Sequence, residues 1–242
     1  MDVLYDITIS LISSSVYFIL GVIAHKVFIK FLEYRRYTIW KTFNNKNDLG
    51  IRLSIRPGPF PTSTPRTSVA EVTALAELLP IFKKMGIKAE IATESAEIVF
   101  KHYQNILAIG GPTANDVTAN LIQKYDTFLP IKLVENPIGF EVGNKKYAPI
   151  YSSDGSNLVS DYALLALFQE KKPDKNYKTN LIVMGYRGIG TQGCISSIQS
   201  KELIDLYKNS NRPKSFVAIV KVDVKNDELC SHSVEFFPLL LG

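Results

Sequence analysis

The amino-acid sequence predicts a single α/β domain that follows an N-terminal transmembrane helix. The first supporting observation is the apolar stretch between Asp6 and Lys26, which has roughly the 20 residues that one helix needs to cross a bilayer. The second is the alternation of short β-rich runs with helical periodicity from residue 51 onward. Strands that alternate with helices indicate a mixed, largely parallel sheet that is covered on both faces.

The flanks of the apolar stretch predict its orientation. Its short N-terminal side carries Asp2 and Asp6, whereas six basic residues follow it before residue 48. Because basic flanks stay cytoplasmic, we expect a single-pass anchor at residues 1–25 in the cell membrane, with a cytoplasmic C-terminal domain. A buried soluble helix and a cleaved signal peptide are the alternatives. A signal peptide would have a basic start and a small-x-small cleavage site, which this stretch lacks.

The net charge of +5 is concentrated in the segment that follows the stretch. Residues 26–47 hold six basic residues and one acidic residue, a balance that equals the excess of the entire chain. Aromatic residues such as Trp40 and Phe43 are interleaved with these charges, as expected where a helix leaves the headgroup region. We therefore expect contact with the lipid bilayer. We expect no nucleic-acid partner, because the remaining sequence has no basic stripe.

Cysteines and histidines are too few and too scattered to predict a metal site. The chain has two cysteines, Cys194 and Cys230, and three histidines, with no CxxC or HxxxH spacing. We expect no bound metal, and the sequence indicates no particular cofactor. Cys194 is expected to be a small buried residue rather than a nucleophile. Small residues in the apolar stretch, Gly21 among them, leave a homo-oligomer open.

Residues 48–242 have the length of one domain with a single core. Ser68 and Glu71 predict a capping box at a helix start, Gly86 predicts the end of that helix, and Gly143 with Asn144 predicts a β-hairpin. Strands are predicted at residues 51–55, 88–92, 105–111, 131–135, 162–168, 180–184 and 215–224, and in the C-terminal residues 236–241. Helices are predicted at residues 68–85, 95–103, 115–125 and 191–207. This order is Rossmann-like in the loose sense.

In such sheets, ligands bind outside the carboxyl ends of the strands, where loops lead into helices. The first glycine-rich junction contains Gly110 and Gly111, and Thr113, Asn115 or Asp116 can cap the helix that follows. Exposed amides at a helix N-terminus favour an anion, so this junction is a candidate ligand site. A plain structural turn remains equally open, because no lysine or arginine lies beside it.

The second junction spans residues 184–193 and has four glycines and Arg187 between a predicted strand and a helix. Four glycines exceed what one turn requires, because glycine is needed only where a side chain cannot fit. Arg187 adds a planar donor that suits phosphate or carboxylate. We therefore predict a phosphate-binding loop here.

Residues 188–191 of this junction resemble the glycine-glycine-x-glycine-threonine turn of lonely-guy and related SLOG-type nucleotide-binding domains. The resemblance covers one loop, and it implies nucleotide binding by Gly188, Gly190 and Thr191. SLOG-type relatives include nucleotide sensors of bacterial conflict systems, some of them linked to membrane-spanning effectors. The lonely-guy enzymes have a catalytic glutamate after the threonine, where this chain has Gln192, and Arg187 stands where the family has a glycine. The resemblance therefore does not imply phosphoribohydrolase activity.

Asp116 and Asp161 are the candidate catalytic residues. Facing one cleft, they would form a two-carboxylate hydrolase site, although turn capping explains each of them as well. The leading hypothesis is a membrane-anchored cytosolic sensor or effector that binds a nucleotide or a similar phosphorylated small molecule. Two alternatives stay open, namely a hydrolase or transferase acting on a nucleotide or nucleotide sugar, and an envelope scaffold without a ligand.

Overall fold

A computed structural model describes residues 17–29, 37–43, 48–56, 66–135, 138–172, 177–226 and 228–239. The chain divides into two compact units, Met1–Thr38 and Ile39–Gly242. In the first unit, residues 17–29 are helical and form α1. The second unit contains the sheets, the other helices and the cavity described below.

The predicted transmembrane helix is corrected by the structure. None of the helices that the structure describes is long and apolar enough to cross a bilayer. The described residues of α1 are 17–29. They also continue past Lys26, where the sequence ended the apolar span. The predictions of an anchor at residues 1–25 and of single-pass membrane localisation are therefore wrong, and residues 1–16 lie outside the described residues.

The second unit begins at Ile39, nine residues before the predicted boundary at residue 48. Ile39–Thr42 form a 3₁₀ helix, and Trp40 is fully buried. The Trp40 ring meets Phe82 edge-on at a centroid distance of 5.2 Å and stacks on Phe43 at 5.7 Å. Trp40 and Phe43, which were predicted to lie at the lipid headgroup region, therefore belong to the protein core.

Eleven strands lie in the described part of the second unit. They are β1 (Leu49–Leu53), β2 (Ala89–Ile91), β3 (Asn105–Ile109), β4 (Ile131–Glu135), β5 (Ile138–Val142), β6 (Lys145–Tyr147), β7 (Ile150–Tyr151), β8 (Leu158–Lys171), β9 (Tyr177–Gly185), β10 (Ser215–Lys225) and β11 (Glu228–Leu239). The helices are α2 (Val69–Met85), α3 (Ala96–His102), α4 (Asp116–Tyr125), α5 (Gly188–Ser197) and α6 (Lys201–Asn209). A single 3₁₀ turn, Asp126–Phe128, follows α4.

The large sheet has the strand order β2-β1-β3-β9-β8-β10-β11, and β7 pairs with β8. Strands β2, β1, β3 and β9 are mutually parallel, whereas β8, β10, β11 and β7 add antiparallel pairs. The α/β class and the mixed sheet are confirmed. The expectation of a largely parallel sheet is wrong, because consecutive strands β8 and β9, and then β10 and β11, pair directly instead of through crossover helices.

Helices cover both faces of the sheet. Helices α3 and α4 and the small sheet β4-β5-β6 share one apolar cluster with inward residues such as Ile106 and Ile182. Helices α2 and α5 pack together on the other face, where Tyr207 of α6 contacts Phe216. The predicted hairpin at Gly143 is confirmed as the β5–β6 turn.

The predicted helix over residues 191–207 is two helices. Helix α5 already begins at Gly188, and Ser200 starts α6 by accepting a hydrogen bond from the Leu203 amide at 3.2 Å. Serine at an N-cap satisfies an amide that would otherwise lack an acceptor, so Ser200 favours a new helix start over a continuous helix. The break turns the chain so that α6 reaches β11.

Replacing Trp40 with alanine should destabilise the second unit by about 3–5 kcal/mol, because it removes a buried aromatic ring and leaves a cavity against Phe82. Urea unfolding of the wild-type and variant proteins would measure the change in the free energy of unfolding. Val69→Ala, at a side chain that is 81% exposed, is the control and should change stability by less than about 0.5 kcal/mol. A small effect of Trp40→Ala would contradict the assignment of Trp40 to the core.

Candidate functional site

A cavity of about 530 Å³ opens at the carboxyl ends of β1, β3 and β9. Its lining residues come from the loop after β1, the first turn of α2, the loop after β3, the small sheet, and the junction between β9 and α5. They are Ser54, Arg56, Ser68, Glu71, residues 111–114, Leu133, Val134, Phe140, residues 184–188 and Thr191. Both predicted glycine-rich junctions therefore border one cavity, at the sheet edge where ligands bind in α/β folds.

The loop after β3 is fixed by Asn115. Its side-chain oxygen accepts hydrogen bonds from the Val117 and Thr118 amides, each at 3.1 Å, and so caps α4. Its side-chain nitrogen donates to the carbonyls of Arg52 and Ile109, each at 3.0 Å. Asn115 is buried, and its polar groups are committed to these contacts. The residue therefore positions the loop at the cavity without lining the cavity itself.

The turn at Gly110 has a steric origin. Gly110 has φ +106°, a value that side chains rarely adopt, and an added Cβ would collide with the Ser54 hydroxyl and the Glu71 carboxylate. The Thr118 hydroxyl donates to the Gly110 carbonyl at 2.9 Å. Only the next residues, 111–114, line the cavity.

Glu71 is a buried carboxylate in the wall of the cavity. The predicted capping box is absent, because Ser68 makes no side-chain cap on α2. Instead, Glu71 Oε2 accepts a hydrogen bond from the Ser54 amide at 2.8 Å and so links α2 to the end of β1. Burial raises the pKa of Glu71, while hydrogen bonds from Ser54 and the charge of Arg56 oppose that rise. The sequence predicted only a capping role for Glu71, and its place in the cavity wall was not predicted.

Asp161 lies beneath the N-terminus of α5. Its Oδ2 accepts hydrogen bonds from the amides of Arg187 and Gly190, at 2.9 and 3.0 Å, and its Oδ1 accepts from the Tyr162 amide at 2.9 Å. Asp161 is fully buried, and burial raises its pKa to about 6, although these amides and the Arg187 charge favour the ionised form. A carboxylate of the protein itself therefore occupies amides that a phosphate would otherwise bind.

The glycines of this junction are required by close packing. A Cβ at Gly190 would collide with the Asp161 carboxylate, and one at Gly188 would lie 2.6 Å from the Ala70 Cβ. A Cβ at Gly193 would lie 2.6 Å from a Val222 methyl group. Thr191 accepts a hydrogen bond from the Gly185 amide at 2.9 Å through its hydroxyl. The abundance of glycine therefore has a structural explanation that is independent of a ligand.

Two arginines supply positive charge to the cavity. Arg187 is exposed, and its Nε and Nη2 donate to the Tyr151 hydroxyl at 3.1 and 2.8 Å. Arg56 is also exposed, and its backbone pairs with Arg66 through two hydrogen bonds of 2.9 Å. In the described part of the chain, neither Arg56 nor Arg187 forms an ion pair with a carboxylate. Both guanidinium groups are therefore placed to bind an added anion.

Apolar side chains form the opposite wall of the cavity. Leu133, Val134 and Phe140 come from the small sheet, and Met184 and Tyr186 come from the end of β9. The rings of Phe140 and Tyr186 lie 4.5 Å apart between centroids. A ligand with a flat apolar part and a charged part would match the two walls.

Asp116 has a structural role. Its Oδ1 pairs with Arg52 Nε at 3.0 Å, and its Oδ2 accepts from the Ala96 amide at the start of α3 at 2.9 Å. Asp116 and Asp161 share no hydrogen-bond partner, and neither lines the cavity. The geometry does not bring the two predicted catalytic carboxylates into one cleft.

The predicted ligand-binding residues thus fall into two groups. Those that line the cavity are Gly111, Thr113, Arg187, Gly188 and Thr191, whereas Gly110, Asn115 and Gly190 support it from behind. Three polar lining residues, Ser54, Arg56 and Glu71, were not among the predicted ligand-binding residues. The rule that ligands bind at the carboxyl ends of strands indicates Arg56, which follows the predicted strand at residues 51–55. Ser54 lay inside that predicted strand, whereas β1 ends at Leu53.

Cys194 is fully buried, and burial raises the pKa of its thiol, as expected for a structural residue. Within the described ranges, no group of three or more histidine, cysteine, aspartate or glutamate residues is placed to hold a metal ion. No protein-family model, curated protein or solved structure matches the chain.

Asp161 gives a prediction for the dependence of stability on pH. Since its folded pKa of about 6 lies above the ordinary value of 3.8, its contribution to stability is fully present below pH 3.8 and is lost as the pH rises through about 6. The neutral variant Asp161→Asn lacks this titration. The free energy of unfolding of the wild type, measured relative to the variant, should therefore fall by up to about 3 kcal/mol between pH 4 and pH 7.

Denaturant unfolding of both proteins at several pH values would measure this difference. Asp126→Asn, at an exposed aspartate on the 3₁₀ turn after α4, serves as the control and should show a much smaller change. A difference between the wild type and Asp161→Asn that stays constant from pH 4 to pH 7 would contradict the burial assigned to this carboxylate.

Proposed function

We propose that the second unit binds a nucleotide or a similar phosphorylated small molecule in the cavity at the carboxyl ends of β1, β3 and β9. The observation that carries this proposal is the meeting of two arginines with an apolar, partly aromatic wall around a single cavity of about 530 Å³. That volume lies within the range of about 300–1,000 Å³ typical of small-molecule sites. The binding role is that of a sensor, which recognises its ligand without converting it.

The arginines support an anionic group in the ligand. Arg187 donates two hydrogen bonds to the Tyr151 hydroxyl, and its charge has no paired carboxylate among the described residues. Arg56 faces Arg66 across the backbone pair, and like charges placed opposite each other cost stability. An anion bound at Arg56 would relieve this repulsion. A phosphate group accepts the planar, bidentate hydrogen bonds that arginine donates.

The apolar wall supports a ring system in the same ligand. Phe140 and Tyr186 lie in ring contact, and Leu133, Val134 and Met184 extend the apolar surface around them. Nucleotides combine a flat base, polar edge atoms and phosphate, and they therefore match both walls.

The resemblance of residues 188–191 to SLOG-type domains supports a nucleotide as the ligand class. The Arg187 and Gly190 amides already donate hydrogen bonds to Asp161 and are therefore not available to a phosphate. We therefore place the phosphate beside the side chains of Arg56 and Arg187. We assign no catalytic role to Asp116 or Asp161, since neither carboxylate lines the cavity and both accept hydrogen bonds from backbone amides.

Adding a nucleotide that binds should raise the thermal stability of the purified full-length protein. A ligand at one hundred times its dissociation constant adds about 2.7 kcal/mol to the free energy of unfolding. The panel would contain mono-, di- and cyclic nucleotides, NAD and nucleotide sugars, each followed by product analysis. Binding without a product supports a sensor, and turnover supports an enzyme. No stabilisation across the panel would contradict the proposal and favour a scaffold whose glycines only make turns.

Arg187→Gln and Arg56→Gln should each weaken binding of the best nucleotide by about tenfold or more, because each removes a charged donor to phosphate. Isothermal titration calorimetry would measure the affinities. Arg212→Gln, at an exposed arginine in the turn after α6, is the matched control and should leave the affinity unchanged. Unchanged affinity in both cavity variants would contradict the proposed phosphate position.

A further inference from the structure

Glu71 is the one acidic side chain among the described residues that line the cavity. It lies on the first turn of α2, and only 4% of its surface is exposed. Helix α2 needs no such carboxylate for capping, since the Glu71 side chain turns away from its own helix to the Ser54 amide. A buried carboxylate is costly unless hydrogen-bond donors surround it, so its presence at a ligand cavity requires an explanation.

The contacts of Glu71 leave it able to accept more hydrogen bonds. An ionised carboxylate offers about four lone-pair positions. Ser54 stabilises the ionised form through its amide and its hydroxyl. Two positions therefore remain for donors that a ligand brings.

Glu71 lies close enough to Arg56 for the arginine charge to stabilise its ionised form. In the described residues, the two side chains nevertheless form no direct ion pair. A phosphate bound at Arg56 would therefore have its neighbouring ligand atoms beside Glu71. In a nucleotide, the atoms nearest the phosphate are those of the sugar, whereas the base lies farther away.

We propose that Glu71 is a specificity-determining residue that binds the vicinal hydroxyl groups of a ribose, so that the cavity selects ribonucleotides over 2′-deoxyribonucleotides. This inference rests on the proposed function. An ionised carboxylate only accepts hydrogen bonds, and a vicinal diol presents two donors at the spacing of its two oxygens. A 2′-deoxy sugar removes one of these donors. Inorganic phosphate carries neither the diol nor the base, and it binds more weakly than a ribonucleotide.

The test compares AMP, GMP, CMP and UMP with their 2′-deoxy counterparts by isothermal titration calorimetry on the full-length protein. The wild type should bind the best ribonucleotide about tenfold or more tightly than its 2′-deoxy form, since one hydrogen bond to a charged group is lost. Glu71→Gln keeps the shape of the side chain and an acceptor for the Ser54 amide but removes the charge. This variant should reduce the preference by about fivefold or more, mainly through weaker binding of the ribonucleotide.

Glu77→Gln is the matched control on the same helix. Glu77 accepts hydrogen bonds from Gln192 and Ser196 on α5 and does not line the cavity. This variant should keep the wild-type preference for the ribonucleotide. Retained affinity of Glu71→Gln for the 2′-deoxynucleotide would show that the variant is folded and that its phosphate contacts are intact.

Three outcomes would overturn the inference, and they are distinguishable. Equal wild-type affinities for a nucleotide and its 2′-deoxy form would exclude diol recognition while leaving nucleotide binding in place. An undiminished preference in Glu71→Gln would assign the selection to another residue. Absence of binding by every member of the panel would remove the proposed function together with this inference.

Discussion

The side chain of Asn115 holds together the part of the molecule on which the cavity depends. It bonds to carbonyl groups at the ends of the neighbouring strands β1 and β3 and caps α4 with its oxygen. A buried amide has two donors and an acceptor, and here each is used on a backbone group. This single residue fixes the separation of two loops whose side chains line the cavity. Beside it, the ion pair of Arg52 with Asp116 ties β1 to α4, and the second oxygen of Asp116 caps α3.

Carboxylates of the protein itself occupy the backbone amides at the carboxyl edge of the parallel strands. Asp161 accepts a hydrogen bond from an amide at the start of α5, and Asp116 accepts one from the first amide of α3. Glu71 accepts a hydrogen bond from the amide that follows β1. In many nucleotide-binding folds, such amides hold the phosphate. In the proposed function, the anion is bound instead by the guanidinium groups of Arg56 and Arg187. The glycines at the second junction make room for Asp161 and for the packing of helices on the sheet.

Local sequence signals predicted the elements well. Gly86 adopts the left-handed conformation that ends α2, Asn115 caps α4, and β4 has the predicted bounds. Each of these features depends on a few neighbouring residues. The direction of the strands was not predictable in this way, because the apolar pattern of β8 is the same whether its neighbour is parallel or antiparallel. The predicted anchor was wrong, since none of the helices that the structure describes is long and apolar enough to cross a bilayer.

The site was predicted in part for a related reason. Loops after strands are recognisable in sequence, so both glycine-rich junctions were found, and the fold brings them to one cavity. Glu71 was assigned to a capping box because its neighbour Ser68 lies three residues before it. Its actual partner, Ser54, lies 17 residues away on another element. The pairing of Asp161 with α5 likewise spans 26 and 29 residues, beyond the reach of any local pattern.

The two halves of the large sheet differ in how far apart their paired segments lie in the chain. The antiparallel strands β8 to β11 are long and mostly pair with their immediate successors, as β8 with β9 and β10 with β11. The strands β1, β2 and β3 are shorter, and β3 pairs with β9 although α4, the whole small sheet, β7 and β8 lie between them in the chain. Closing such a long loop costs more chain entropy than closing a hairpin. The cavity belongs to this costlier half, so it forms only after the most distant segments have met, and a chain in which they have not met lacks this cavity.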